Sequence, residues 1–418
     1  MTDLADTSLA AQYEAYPYPA RDPRDEHRRL LIGTPSHLRE IDHHVFGAAR
    51  PTSLELRALV AGCGTGDGAI MLATQLARAG RPGHVTCIDR SEASLAIARA
   101  RAEARGLANI SFRCLSLLDL PESGLGAFDY IDCCGVLHHL PDPDTGLRAL
   151  TSVLAEGGGM GLMVYAPHGR TGVYMLQDAL RLLAPADEPP ATRLDAARRV
   201  MRNLPATAWL RANQNFSDHL TGGDAGLYDL LLNPRDVAYD VPGLLAFLDR
   251  AGLEAAALME PLRYDPAPLL PDPKLRARIA GLGRDERAAL AEALAGNMNV
   301  HIAYAVRRGG RPALPDPLDP DATPVAREMP AEEIARRLTP DGSLPVAFNQ
   351  LEILLPLPRE MRAILPLVDG TRTVAAIAEA AIARGLTRAR FEAAWPEGFS
   401  RLEAANRLLW KPISPDAA

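Results

Sequence analysis

The run Gly62-Cys63-Gly64-Thr65-Gly66 lies between the apolar residues Leu59-Val60-Ala61 and a helical stretch. It is the part of this sequence best suited to holding a ligand. Glycines permit a tight strand-to-helix turn and let a bound group lie against the backbone, at the positive end of the helix dipole. Asp89 closes the next apolar run, at a spacing suited to a carboxylate that accepts hydrogen bonds from ribose hydroxyls. Gly64-x-Gly66-x-x-Ala69 also satisfies a dinucleotide-binding pattern, so a nicotinamide or flavin enzyme stays open at this point.

Such a turn needs a sheet to carry it. Short apolar runs at 56–61, 85–89, 110–115, 130–134 and 160–166 alternate with amphipathic helices, the pattern of a parallel sheet covered on both faces. Ser91 is a good N-cap and Gly106 a good residue past a helix end. A helix from Asp144 is expected to stop at the turn Gly157-Gly158-Gly159. Residues 170–240 break the alternation with helical stretches interrupted by prolines, which reads as a lid inserted after the fifth strand. A helix at 241–251 and strands at 253–259 and 300–307 complete a seven-stranded α/β domain over 51–308, with 1–50 as an N-terminal arm. The stretch 309–330 holds six prolines and reads as a linker. Residues 331–418 read as a small helical module.

The third and fourth strands narrow the ligand. They carry Leu115-Ser116-Leu117-Leu118-Asp119 and Phe128-Asp129-Tyr130-Ile131-Asp132-Cys133-Cys134-Gly135-Val136-Leu137-His138-His139-Leu140. Taken in order with the glycine turn and Asp89, these runs resemble the motifs of class I S-adenosylmethionine-dependent methyltransferases. The resemblance is close over 50–170 and looser over 240–308. It implies a Rossmann-like, mostly parallel sheet and S-adenosylmethionine as cofactor. By resemblance, Gly62, Cys63, Gly64 and Gly66 would face its methionine part, and Asp89 with Arg90 its ribose. Ser116 and Leu117 would flank the adenine, and the backbone of Cys133, Cys134 and Gly135 would line the pocket near the sulfonium. Two positions depart from the family pattern. The usual acid two residues before the first glycine is Val60, and the strand-three acid is Ser116, with Asp119 near enough in sequence to substitute.

Methyl transfer from a sulfonium has a good leaving group, so positioning and desolvation carry most of the catalysis, and a general base is needed only for a protonated nucleophile. The candidates around an acceptor are Tyr18, within the tyrosine- and proline-rich segment 13–21; His138, in the loop after strand four; and Tyr165 and His168, after strand five. Arg170, Tyr174 and a polar group formed by Asn213, Asn215, Asp218, His219 and Asp224 lie in the lid region. The run from Leu365 to Thr373 resembles winged-helix-like segments of bacterial protein lysine methyltransferases, which implies help in docking a protein acceptor. A protein side chain and a small metabolite are both open as acceptors, as is a non-catalytic cofactor-binding regulator.

Composition excludes other classes. A net charge of −7 argues against non-specific nucleic-acid binding. Arg99, Arg101 and Arg105 read as solvated helix faces. No apolar run reaches the ~20 residues of a membrane helix. Residues 1–13 lack a secretory pattern, so a cytoplasmic protein is expected. The five cysteines have no zinc-site spacing, and His43-His44 reads as a surface pair, so no metal is expected.

Overall fold

The computed structural model describes residue 14, residues 17–215 and residues 218–412, and the backbone alone at 218 and 219. A seven-stranded sheet is built from β1 (Leu56–Ala61), β2 (Gly83–Asp89), β3 (Ile110–Cys114), β4 (Phe128–Cys134), β5 (Leu154–Tyr165), β6 (Leu253–Met259) and β7 (Val300–Arg307). Its order is β3-β2-β1-β4-β5-β7-β6, with β7 antiparallel to both of its neighbours. The chain reverses direction across the sheet between β1 and β4. The crevice at the carboxyl ends of these strands is where open α/β sheets bind ligands.

Helices α1 (Asp67–Arg78), α2 (Glu92–Ala104) and α3 (Pro143–Ser152) cover the sheet. Ser91 caps α2 by accepting a hydrogen bond from the Ser94 amide at 3.1 Å. The glycine triplet does not end α3. That helix stops at Ser152, and Gly157-Gly158-Gly159 lies inside β5, where the register shifts against β4. There a Cβ on Gly158 would stand 2.7 Å from the Asp129 carbonyl, so close backbone approach, not a turn, demands glycine.

The lid is helical. Its main helices are α4 (Val173–Leu183), α5 (Pro190–Arg202) and α6 (Gly223–Leu232), which share an apolar core of their own. Buried Arg193 fixes that core by donating to Tyr228 Oη at 2.6 Å and to the Leu232 carbonyl at 3.0 Å. The chain then returns through α7 (Val241–Arg250) and α8 (Arg284–Ala295) to the last two strands.

The C-terminal region is not all helical. After β8 (Pro324–Ala326) and α9 (Ala331–Arg336) comes a hairpin, β9 (Ser343–Phe348) with β10 (Leu351–Pro356); α10 (Val374–Ala383), α11 (Arg388–Ala404) and β11 (Leu408–Trp410) follow. Alternation in Leu344, Val346, Phe348 and Ile353, Leu355 buries one face of that hairpin. The stretch expected as a linker is strapped to this region. Its strand β8 pairs with β11, and the Pro317 carbonyl accepts from the Trp395 indole at 2.8 Å. Prolines remove donors from the strap but leave its carbonyls to accept from the region they cross.

Buried charges dock this region onto the sheet. Glu40 is fully buried and accepts from Tyr304 Oη at 2.7 Å, from Asn406 at 2.6 Å and from Arg327. His43 and His44 are buried here, not on the surface. His43 Nδ1 accepts from the Trp410 amide at 3.0 Å, and its Nε2 lies 3.0 Å from Glu403. Arg101 is buried too, ion-paired with Glu26 and Asp67 at 2.6 Å each, rather than on a solvated face. No group of three or more metal-binding side chains occurs among the described residues, and none of their helices is long and apolar enough to cross a membrane.

Candidate active site

A cavity of about 560 Å³ opens at the carboxyl ends of β1, β2, β4 and β5. Its floor is the glycine turn. Gly62 and Gly64 have φ of +70° and +51°, in the left-handed region. A Cβ on Gly64 would stand 2.8 Å from the Tyr18 carbonyl, and one on Gly62 would stand 2.4 Å from Val136. Glycine is thus required both by the turn and by the clearance above it. Asp89, at the end of β2, braces the turn. Its Oδ2 accepts from the Gly64 amide at 2.8 Å and its Oδ1 from the Ser91 amide at 2.9 Å. Burial raises the Asp89 pKa above the ordinary carboxylate value, and these backbone donors oppose that rise.

The N-terminal arm closes one side. Tyr18 and Pro19 line the cavity, and the Pro19 carbonyl accepts from Thr65 Oγ1 at 2.7 Å. Arg21 forks onto Asp67 with contacts of 2.9 Å and 2.6 Å. Residues 31–36 form a second stretch of wall that the sequence did not reveal. The opposite end holds Tyr165, Arg170, Asp229 and Asn299. Tyr165 Oη donates to Asp229 at 3.3 Å, and the Arg170 guanidinium stacks 3.6 Å over the Tyr165 ring while pairing with Asp236 at 2.7 Å.

The two histidines after β4 differ in kind. His138 is fully buried, its ring 3.9 Å from that of Tyr165, and burial pushes its pKa well below the ordinary value. Neither of its ring nitrogens has a partner among the described residues. His139 does line the cavity, and its Nδ1 lies 2.7 Å from the Arg235 carbonyl. A carbonyl only accepts, so Nδ1 carries the proton of the neutral ring and Nε2 keeps its lone pair.

A family model described as a methyltransferase domain matches residues 54–168. A Synechococcus relative, uncharacterized protein syc1184_c, is 33% identical over 305 residues, 70% of each chain. The ubiquinone biosynthesis O-methyltransferase of Acinetobacter baylyi is 33% identical over 153 residues, 37% of this chain and 60% of that enzyme. The chain belongs to the class I S-adenosylmethionine-dependent methyltransferases. Its fold is also that of PKMT2 from Rickettsia typhi, solved alone and in complex with AdoHcy. Against the unliganded structure the TM-score is 0.61 at 16% identity, covering 91% of this chain and 75% of that one. The methyltransferase is therefore an enzyme whose cofactor is S-adenosylmethionine.

The cradle fits that cofactor: the glycine turn leaves room for an extended ligand, and a buried carboxylate oxygen of Asp132 has no partner in the wall. Most of the expected residues of the methyltransferase meet in one cavity: Gly62, Cys63, Gly64, Asp89, Arg90, Ser116, Leu117, Cys134, Gly135, Tyr18 and Tyr165. Others do not. Gly66 lies outside the lining, and a Cβ there would stand 3.0 Å from Ala98, so this glycine serves the packing of α1 on α2. The Cys133 side chain is buried on the other face of β4, because successive strand residues alternate. His138 is sealed behind Tyr165, and His168 is exposed beyond the rim. Asp119 is likewise exposed and does not replace the strand-three acid, and Ser116 instead caps the following turn.

Asn213 braces the lid by donating to the Gly169 and Thr171 carbonyls at 2.9 Å each, and Asp224 pairs with Arg198 at the surface. Tyr13, Tyr16 and Phe216 lie outside the described residues, as do the side chains of Asp218 and His219. Sequence reasoning missed Ser36, Asp132, Asp229 and Asn299 as wall residues, and preferred His138 to His139. Only the paired-strand register could have singled out Asp132.

Proposed function

We propose that the methyltransferase modifies a nucleophilic side chain of a protein, with an amine as the group best matched by the site. The observation that carries the protein reading is the position of the β9–β10 turn. Gln350 donates to the Gln214 carbonyl of the lid at 3.1 Å, and Asn349 donates to the Asn297 carbonyl at 3.2 Å. Asn297 stands two residues before Asn299, in the cavity wall. The C-terminal region thus borders the acceptor end of the cavity, where it would offer a docking surface.

When bound, S-adenosylmethionine supplies an activated methyl group whose departure leaves a neutral thioether. The chain's own residues then position the acceptor and manage its proton. Asp229, in the cavity wall, offers a carboxylate, a group that pairs with a cationic amine. His139 Nε2, with its lone pair kept by the Arg235 carbonyl, takes the proton that an amine or hydroxyl must lose. Tyr18, Gly64 and Asp89 hold the cofactor end against the arm.

A second reading, a small phenolic or quinol acceptor, is favoured by the likeness to ubiquinone biosynthesis O-methyltransferases over residues of the α/β domain. The test uses methyl-labelled S-adenosylmethionine with lysate from cells lacking the protein, fractionated by size, and a Gly64→Arg variant as control. Label in a protein band is the expected result. Label confined to the small-molecule fraction would overturn the protein reading and support the second.

A further inference from the structure

Asp132 is the carboxylate that the glycine motif lacks. Position 60 is Val in this chain, yet Val60 and Asp132 are register partners on adjacent parallel strands, so their side chains leave the same face of the sheet side by side. Both line the cavity beneath the glycine turn. Asp132 is 2% exposed; its Oδ2 accepts from Ser36 Oγ, while its Oδ1 is buried without a partner among the described residues. A Cβ on Gly68 would approach Asp132 Oδ2 to 3.0 Å and Ser36 Oγ to 2.9 Å, so glycine there keeps the pair accessible from the helix side.

The other carboxylates around the turn are already engaged. Asp67 is held by Arg21 and Arg101, and Asp89 by two backbone amides. No ion pair to Asp132 exists among the described residues, and a buried carboxylate eased only by the Ser36 hydroxyl and the Cys134 backbone is a costly arrangement unless a cation completes it. The cation available at this end of the cavity is the α-ammonium group of the cofactor's methionine part. We infer that Asp132, oriented by Ser36, binds that ammonium and so replaces across the strands the acid usually found two residues before the first glycine. The inference rests on the cofactor class alone and is independent of the acceptor.

The test compares two ligands in the full chain by calorimetry. S-adenosylhomocysteine keeps the amino-acid arm; 5′-methylthioadenosine has the same adenosine and sulfur without it. Asp132→Asn should weaken S-adenosylhomocysteine binding about 10- to 100-fold, as expected for losing a charged hydrogen bond, and leave methylthioadenosine binding unchanged. Adding Val60→Asp to Asp132→Asn should restore much of the lost affinity. Equal weakening of both ligands would show a merely structural role and overturn the inference, as would unchanged binding of S-adenosylhomocysteine. Methylthioadenosine binding also reports that the variant is folded. With it intact, failure of Val60→Asp to rescue would overturn the exchange between the two strand positions.

Discussion

The same Asp132→Asn substitution should stabilise the ligand-free protein while weakening its grip on the cofactor. Burial pushes the Asp132 pKa from 3.8 up to about 6, against the opposing pull of Ser36 and of the Cys134 backbone amide. The native chain therefore holds this proton more tightly than the unfolded chain, and the penalty for ionising it grows as pH rises from 3.8 to about 6. Above that range the penalty is complete, roughly 3 kcal/mol at about 1.36 kcal/mol per pH unit. Asparagine removes the charge and still accepts from Ser36, so the free variant should gain up to about 3 kcal/mol at pH 8, and about half of that at pH 5. Thermal unfolding at both pH values, with and without saturating S-adenosylhomocysteine, measures this. With ligand the advantage should shrink by about 1.4–2.7 kcal/mol, the equivalent of a 10- to 100-fold loss in affinity. A free variant less stable than its parent at pH 8, or equally stabilised at pH 5 and pH 8, would refute the buried-charge reasoning.

Three further outcomes are expected. Asp89→Ala should weaken S-adenosylhomocysteine and methylthioadenosine alike, by about tenfold or more, because the ribose is common to both; calorimetry that showed only one affected would refute a ribose role. His139→Gln should lower kcat by about 10²–10⁴ with little change in cofactor affinity, and the same change at His138 should act through stability alone; steady-state rates and binding separate the two. Arg101→Met should cost about 1–3 kcal/mol in denaturant unfolding, because it leaves the buried Glu26 carboxylate with Arg105 alone and unties Asp67 from α2.

Local pattern alone determined much of this protein. The five parallel strands, the glycine turn and the acid closing β2 are encoded by short-range apolar periodicity and by glycine's access to positive φ, which need no distant partner to be recognised. The cofactor class followed from the order of those pieces. What lay beyond reach depends on contacts between residues far apart in sequence. The β9–β10 hairpin reads as helix in one dimension because its short alternating runs are ambiguous until a second strand pairs with them. Buried Arg101, Glu40 and His43 look like surface residues until hydrogen-bond partners 34 to 366 positions away reach them. His138 and His139 are neighbours of one type, and only the Arg235 carbonyl and the Tyr165 ring distinguish the one lining the cavity from the one packed behind it. Asp132 is an unremarkable strand residue in one dimension. It becomes the missing acid only when parallel pairing sets it beside Val60, because register, not sequence distance, decides which side chains share a site.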